Sequence, residues 1–99
     1  MNPPYRVIYS ELVRNALKDL YARAAQKGLA AHVLSAVQTI DHRLRTDPRL
    51  FGEAKYRYRV LKLELRVAIE PPLVVHYTVH DEQALVFVKA LQSLPGQGF

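Results

Sequence analysis

The chain of 99 residues contains no cysteine. This absence excludes a disulfide framework, a thiolate zinc site and a cysteine nucleophile, and it argues against redox chemistry. No stretch approaches the ~18 consecutive apolar residues of a membrane-spanning helix, and the segment from Met1 to Arg6 lacks the apolar core of a signal peptide. We therefore expect a cytoplasmic protein without membrane association.

The sequence signatures of common enzymes are also missing. The chain has no glycine-rich phosphate loop, no serine nucleophile elbow and no paired carboxylates at catalytic spacing. Its histidines lack ligand spacing, since His32 and His42 are more than two turns apart on a predicted helix, and His76 and His80 are ~13 Å apart along a predicted strand. We expect neither a metal ion nor another cofactor.

What the chain has is the composition of an ordinary globular domain with an excess of positive charge. The length, with 49% hydrophobic and 23% charged residues, predicts one domain over residues 1–99. The formal net charge of +5 favours an anionic partner. The whole excess lies between Arg43 and Arg66, where eight basic residues stand against three acidic ones. This window is either a phosphate-facing surface or a solvated strand and loop that keep the protein soluble.

The first half of the chain has the pattern of a strand followed by two helices. Tyr5–Tyr9 is rich in β-branched and aromatic residues, and Ser10 is a good helix N-cap. Apolar residues then recur at helical spacing from Glu11 to about Lys27 and from about Leu29 to Arg45, and Gly28 suits the left-handed position between the two helices. The apolar positions that predict the helical core are Val13, Leu17, Leu20, Ala24, Val33, Val37, Ile40 and Leu44.

The second half has the two-residue period of strands. The alternation from Leu61 to Ile69 predicts a strand covered on one face, with Lys62 and Arg66 on the face opposite the leucines. Residues 73–79 and 84–91 should pair as an antiparallel hairpin, and a tail from about residue 93 should run irregularly. The predicted fold class is α+β: an N-terminal strand, a helical hairpin and a three-stranded antiparallel meander, in the order β-α-α-β-β-β.

The predicted catalytic chemistry depends on one histidine and on neighbouring cations. A neutral histidine beside cations can act as a general base, while lysine and arginine stabilise phosphate charge in a transition state. The predicted catalytic residues are therefore His76, Arg66 and Lys62, which could cleave RNA without a metal ion by using the ribose 2′-hydroxyl as nucleophile. The alternative for His76 is a half-buried strand residue that is hydrogen-bonded to a neighbour.

A second candidate site is the run Lys55-Tyr56-Arg57-Tyr58-Arg59, which interleaves cations with aromatic rings. Such a strip can stack bases and bind phosphates, as in proteins that bind single strands. The alternative is an edge strand that is kept from aggregating by its charges. The predicted RNA-binding residues are Lys55, Arg57, Tyr58, Arg59 and, on the last strand, Lys89.

The element order and several motifs together resemble the RelE/ParE superfamily of bacterial type II toxins, often labelled plasmid-stabilisation proteins. The matching parts are Tyr5-Arg6-Val7-Ile8-Tyr9, Asp47-Pro48 with Phe51-Gly52 after it, and the run from Pro71 to Leu91, so the resemblance covers roughly Tyr5 to Leu91. It implies a helical hairpin on a twisted antiparallel sheet and a cognate acidic antitoxin. Superfamily members similar to RelE cut messenger RNA in the ribosome, whereas those similar to ParE inhibit DNA gyrase.

Two parts of the chain depart from the RNA-cleaving branch. That branch typically has an arginine shortly before the tyrosine of the third strand, and here Val74 occupies its position while Tyr77 is kept. It also has a basic pair and a tyrosine after the last strand, where this chain has Gln92 to Phe99.

Three functional hypotheses stay open. The first is a toxin that is an endoribonuclease on messenger RNA, and the second is a non-catalytic toxin that binds gyrase or another protein. The third is a toxin-fold binding module, with a homodimer through an exposed strand edge as one form.

Overall fold

The computed structural model describes residues 4–96 and 99, and its fold is α+β, as predicted. The strand order in the sheet is β1-β5-β4-β3-β2, with β1 parallel to β5 and the other neighbours antiparallel. Compared with the predicted order, the structure has an additional short helix, α3, and an additional edge strand, β2. The elements in chain order are β1 (Arg6–Tyr9), α1 (Glu11–Gln26), α2 (Ala30–Thr46), α3 (Pro48–Phe51), β2 (Glu53–Tyr58), β3 (Leu63–Glu70), β4 (Leu73–His80) and β5 (Leu85–Ser93).

The helical hairpin begins at the predicted N-cap and turns at the predicted left-handed glycine. The Ser10 hydroxyl accepts a hydrogen bond from the backbone N–H of Val13 at 3.2 Å, which satisfies one of the free donors at the start of α1. Gly28 has a φ of +72°, the left-handed conformation that glycine adopts without a steric penalty. At the end of α2, Pro48 starts the short helix α3.

The core lies between the helices and one face of the sheet. The predicted helical core positions are buried, except Leu17 and Val37, which are half-buried against the same core. In β4 every second residue faces this core, since its odd-numbered residues are all fully buried. The strands contribute to this core Val7, Ala68, Leu73, Val75, Tyr77, Val79, Val86, Val88 and Leu91.

A polar contact joins β1 to α2 beside this core. The Tyr9 hydroxyl donates to Asp41 Oδ1 at 2.6 Å, and Arg45 Nε donates to Asp41 Oδ2 at 2.8 Å. The hydrogen bond from Arg45 holds the pKa of Asp41 below its usual range, although partial burial opposes this effect. Burial and the hydrogen bond to Asp41 raise the pKa of Tyr9. The contact therefore depends on an ionised Asp41 and a neutral Tyr9.

The side of β3 that the helices cover is the one predicted to be exposed. Glu70 pairs with Leu73 across the two-residue turn Pro71-Pro72, and the pairing continues along the strands until Arg66 lies opposite Tyr77. Residues that pair across neighbouring strands share a face of the sheet, so Arg66 lies on the side of the helices and the leucines of β3 lie on the other side. The prediction was wrong because the length of the turn, which the apolar period does not reveal, sets the register.

The C-terminal part of the sheet is longer than predicted. Strand β5 continues to Ser93, where the irregular tail was expected to begin. The backbone N–H of Leu94 donates to the carbonyl oxygen of Pro72 at 2.8 Å, which holds the chain beside the β3–β4 turn. Residues 97–98 of the predicted tail lie outside the described residues.

Candidate functional site: the open face of the sheet

The candidate site is the side of the sheet that faces away from the helices, which we call the open face. His76, Thr78 and His80 lie on it, because they alternate with the fully buried residues of β4. The helix α3 lies on the covered side with α1 and α2, since its Pro48 carbonyl accepts a hydrogen bond from the buried Tyr77. From β2 to β1, the open face includes Tyr56, Tyr58, Leu63, Leu65, Val67, Ile69, Val74, His76, Thr78, His80, Leu85, Phe87, Lys89, Ile8 and Arg6.

The open face is apolar over most of its width. Its middle is a shallow groove of about 440 Å³ between the end of β2 and strands β3, β4 and β5. Outside the groove, Ile69 is 60% and Tyr56 is 59% exposed. An antiparallel sheet with one solvated face usually alternates apolar with polar residues, and contiguous exposed apolar surface marks sites of interaction. The apolar side chains that line the groove are Tyr58, Leu61, Leu63, Leu65, Leu85 and Phe87.

Polar groups on the open face lie mainly on β4 and β5. The Thr78 hydroxyl and His80 Nε2 are 3.0 Å apart, so these two side chains are hydrogen-bonded to each other. Lys89 lies at a bulge where β5 has one residue more than β4, and its Nζ is 5.4 Å from the centre of the Phe87 ring. A positive charge therefore lies beside the apolar groove.

The structure does not bring the three predicted catalytic residues together. His76 is half-buried on the open face, whereas Arg66 lies on the covered face. Lys62 is in the β2–β3 turn with a φ of +52°, and its Nζ is 2.7 Å from Glu82 Oε1. One phosphate group cannot contact residues on both faces of a sheet, so His76 and Arg66 do not face the same phosphate.

Arg66 instead holds the segment between α2 and β2 against the sheet. Its guanidinium donates to the carboxylate of Glu64 and to the carbonyl oxygen of Gly52, and its side chain is only 12% exposed. Nearby, the Tyr77 hydroxyl donates to the carbonyl oxygen of Pro48 at 2.6 Å, and burial raises the pKa of Tyr77. These contacts satisfy carbonyl groups of α3 and of the turn that follows it.

The predicted strip on β2 is divided between the two faces. Tyr56 and Tyr58 lie on the open face, with ring centres 4.5 Å apart. Arg57 lies on the covered side, where its guanidinium is 3.5 Å from Glu64 Oε2 and 3.4 Å from Asp81 Oδ2. The rings and the Arg57 charge cannot therefore bind the same nucleotide from one side. The strip has the edge-strand position that was the alternative interpretation.

The other predicted RNA-binding residues lie on β2, in the turn that follows it and on β5. Lys55 is the extra residue of the β2 bulge, and its Nζ is 3.5 Å from Glu53 Oε2. Arg59 is exposed in the β2–β3 turn, and Lys89 lies on β5 beside the groove. Of the predicted residues, His76, Tyr58 and Lys89 share the open face.

Sequence reasoning missed the apolar residues of the open face. Leu63 and Leu65 have the spacing of core residues, and nothing in the period alone distinguishes an open face from a covered one. The signal that could have found them is Pro71-Pro72, because a two-residue turn pairs the residues directly before and after it. Counting back from that turn places Arg66, rather than the leucines, beside the odd-numbered residues of β4.

Two other kinds of site are not seen in the part of the chain that the structure describes. Residues 4–96 and 99 contain no group of three or more histidine or carboxylate side chains that could hold a metal ion. Within the same residues, no helix has the length and apolar character needed to cross a membrane.

One solved structure has the same fold. The chain matches a chain in the crystal structure of the archaeal RelE-RelB complex from Pyrococcus horikoshii OT3 with a TM-score of 0.70, over 94% of this chain and 97% of that chain. The two sequences are 21% identical, so the similarity shows the fold. No protein-family model matches the chain, and no curated protein matches it in sequence. The predicted likeness to RelE is thus confirmed at the level of the fold.

Proposed function

We propose that this chain is a cytoplasmic toxin of a toxin–antitoxin pair, and that it acts by binding a protein target rather than by cleaving RNA. The observation that carries the proposal is the RelE-like fold, which extends over 94% of the chain and 97% of its structural neighbour. A match of this extent includes the helical hairpin and the whole sheet. It therefore supports a shared architecture rather than one shared motif.

The chemistry of the open face supports binding over cleavage. A surface that cleaves RNA without a metal ion needs a base and cations on one side of the substrate. Here Arg66 is held on the covered face, and Val74 stands on the open face where the RNA-cleaving branch has an arginine. The groove on the open face is lined mainly by leucine and aromatic side chains, which suits a protein segment better than a phosphate backbone.

The proposed partner is an acidic antitoxin. The structural neighbour was crystallised as a complex of RelE with RelB, which supports a protein partner for this chain as well. The net charge of +5 favours an acidic partner through long-range attraction.

Endoribonuclease activity is the second candidate, and one observation favours it. His76 lies on the open face directly opposite Ala90 of β5, and Lys89 is the next residue at the bulge. A histidine and a lysine in neighbouring strands could supply a base and a cation to bound RNA. This arrangement has no arginine among its members, which is why binding is the preferred proposal.

Induced expression in a bacterial host tests the proposed function. We expect the wild-type chain to arrest growth while messenger RNA stays intact, and His76→Ala to arrest growth equally. Leu61→Asp should relieve the arrest, because it places a charge on the apolar groove. Leu61 is 65% exposed in the β2–β3 turn, so its replacement carries little risk to folding.

Leu34→Asp is the matched control, because Leu34 is 49% exposed on the outer surface of α2, away from the open face. Relief of the arrest by both aspartate variants would contradict a role for the open face. Cleaved messages that become intact in His76→Ala would support the nuclease instead. Unimpaired growth with the wild-type chain, confirmed as expressed and folded, would overturn the toxin proposal.

A further inference from the structure

We infer that the turn between β2 and β3 inserts into an apolar pocket of the protein target, and that this pocket has a carboxylate at its rim. We call the outward part of the turn, Arg59, Val60 and Leu61, the tip. The inference rests on the proposed function, because it names the part of this chain that enters the target and the chemistry of the target surface. It adds an end-on contact to the contact of the open face.

The two hairpin turns at this end of the sheet have the same backbone and different side chains. Residues 59–62 join β2 to β3, and residues 81–84 join β4 to β5. In each turn the N–H of the fourth residue donates to the carbonyl oxygen of the first, at 3.3 Å and 3.4 Å respectively. The fourth residue also has a positive φ in both turns, +52° at Lys62 and +49° at Ala84. The backbone of such a turn therefore does not require apolar side chains at its two central positions.

The central residues of the β2–β3 turn are nevertheless apolar. Val60 is 94% and Leu61 is 65% exposed, whereas the same positions of the β4–β5 turn are occupied by Glu82 and Gln83. Polar residues and glycine are typical of exposed turns. Folding gains almost nothing from a valine that keeps nearly all of its surface in water. A partner that buries Val60 accounts for its presence at the apex.

Ion pairs hold the β2–β3 turn against the neighbouring turn. Lys62 Nζ lies 2.7 Å from Glu82 Oε1, and the Arg57 guanidinium lies 3.4 Å from Asp81 Oδ2. A loop that is already ordered loses less conformational entropy when it binds. The tip is therefore pre-organised for insertion into a pocket of fixed shape.

Arg59 provides the charge of the tip. It is exposed, and within residues 4–96 and 99 no carboxylate lies within ion-pair distance of it. A carboxylate at the rim of the target pocket would form a charge-assisted hydrogen bond with this guanidinium. Arginine and tyrosine, here Arg59 and the adjacent Tyr58, are residue types that often contribute most to protein interfaces. The tip therefore fits a protein pocket that is apolar inside and acidic at its edge.

Other occupants fit the tip less well. An anionic membrane that met the tip would also meet the acidic residues of the β4–β5 turn beside it, and would repel them. RNA phosphates find no hydrogen-bond donors in the apolar side chains at the apex. The two apolar grooves of a second copy have Lys18 or Lys89 in their lining, and these charges would repel Arg59.

Growth arrest by the full-length chain tests the inference. Val60→Glu places at the apex the residue type that the β4–β5 turn has at the same position, so the backbone accommodates it. We expect the amount of induced protein needed for arrest to rise ~10-fold or more in Val60→Glu, because a charge replaces the apolar anchor. Arg59→Glu should raise this amount by roughly 5-fold or more. Val60→Ile keeps the anchor apolar and should arrest growth as the wild-type chain does.

Leu12→Glu and Arg14→Glu are the matched controls. Leu12 is 79% exposed on α1, and Arg14 is an exposed residue of the same helix. These variants make the same changes of charge away from the tip and should leave the arrest unchanged. Thermal unfolding and the cellular level of each variant establish that relief of the arrest is not a loss of fold or of expression.

A photo-reactive amino acid at position 60 identifies the class of the partner. We expect it to form an adduct in the cell that protease removes and ribonuclease does not. Arg59→Glu should abolish this adduct, because the unpaired guanidinium is part of the same contact. The same photo-reactive amino acid at position 12 should form no such adduct.

Several results would overturn the inference. Arrest by Val60→Glu at the wild-type protein level is one, and equal relief in Leu12→Glu or Arg14→Glu is another. An adduct with RNA or lipid, or between two copies of this chain, would replace the protein target by that partner. A wild-type chain that does not arrest growth would refute the toxin proposal, and the adduct at position 60 would then decide whether the tip binds a protein.

Discussion

The covered and open faces of the sheet both have large apolar areas, but burial during folding explains only the apolar residues of the covered face. On the covered side, Val75, Tyr77 and Val79 have no exposed surface, since the helices remove them from water. On the open side, Leu63 and Leu65 keep part of their surface exposed although their strands are equally well paired. Folding alone gains little from the exposed part of these leucines. Their presence is accounted for if a partner completes the burial.

The largest expected effect is a difference in the free energy of unfolding between a variant of the covered face and a variant of the open face. Leu73→Ala removes a fully buried side chain from the covered face and should lower the free energy of unfolding by ~2–5 kcal/mol. Leu65→Ala removes the same atoms from the half-buried open face and should cost only about 1 kcal/mol. Urea unfolding of both variants measures the difference.

The same pair should rank in the opposite order in the growth-arrest assay. Leu65→Ala shortens a side chain that lines the groove and should weaken the arrest, whereas folded Leu73→Ala should arrest growth as the wild-type chain does. Equal losses of stability in the two variants would mean that the open face is as important to folding as the covered face, and the comparison would fail.

A smaller effect is expected where α3 and β2 meet the covered face. An added Cβ at Gly52 would lie 2.6 Å from the Tyr77 hydroxyl oxygen and 2.8 Å from the carbonyl oxygen of Val67. Because the second of these atoms belongs to the backbone, a rotamer change cannot remove both clashes. Gly52→Ala should therefore cost ~1–3 kcal/mol in urea unfolding.

The double variant Gly52→Ala/Tyr77→Phe apportions this cost. Removing the Tyr77 hydroxyl relieves one of the two clashes, so Gly52→Ala should be less destabilising in the Tyr77→Phe background than in the wild type. An unchanged unfolding midpoint for Gly52→Ala alone would contradict the close packing of this turn against β3.

Local signals in the sequence predicted much of the fold, and long-range pairing accounts for what they missed. Three of these signals depend on only a few neighbouring residues and were predicted from the sequence. They are the cap at Ser10, the left-handed Gly28 and the period of the helices. Strand β2 was only one of two interpretations, because its pattern of alternating cations and rings fits a strand and a base-stacking strip equally. The spacing of apolar residues does not reveal that β2 pairs with β3.

The candidate site was predicted less well for the same reason. His76 lies on the face opposite the buried residues of β4, a position that the alternation of that strand indicates. Arg66 was placed on the wrong face, since its neighbours across the sheet depend on a turn of two prolines. A shift of one residue in register exchanges the two faces of a strand completely, so a small error in pairing became a large error in the site.

The smallest expected effect concerns the ionised Asp41 that joins α2 to β1 on the covered side. The pKa of Asp41 is lowered in the folded state, so its ionised form adds stability above the unfolded pKa of about 4, and this contribution is lost as the pH falls through the folded pKa. Asp41→Asn should therefore lower stability at pH 7 by about 1 kcal/mol or less, since the carboxylate is partly exposed, and should flatten the decline in stability below pH 4.

Asp19→Asn is the control, because the Asp19 carboxylate is 71% exposed and 3.5 Å from Arg23. Its replacement should change neither the stability at pH 7 nor the decline below pH 4. Urea unfolding at pH 7 and at pH 3 distinguishes the variants. An acid decline as steep in Asp41→Asn as in the wild type would assign the acid sensitivity to other carboxylates and leave the β1–α2 contact without an electrostatic role.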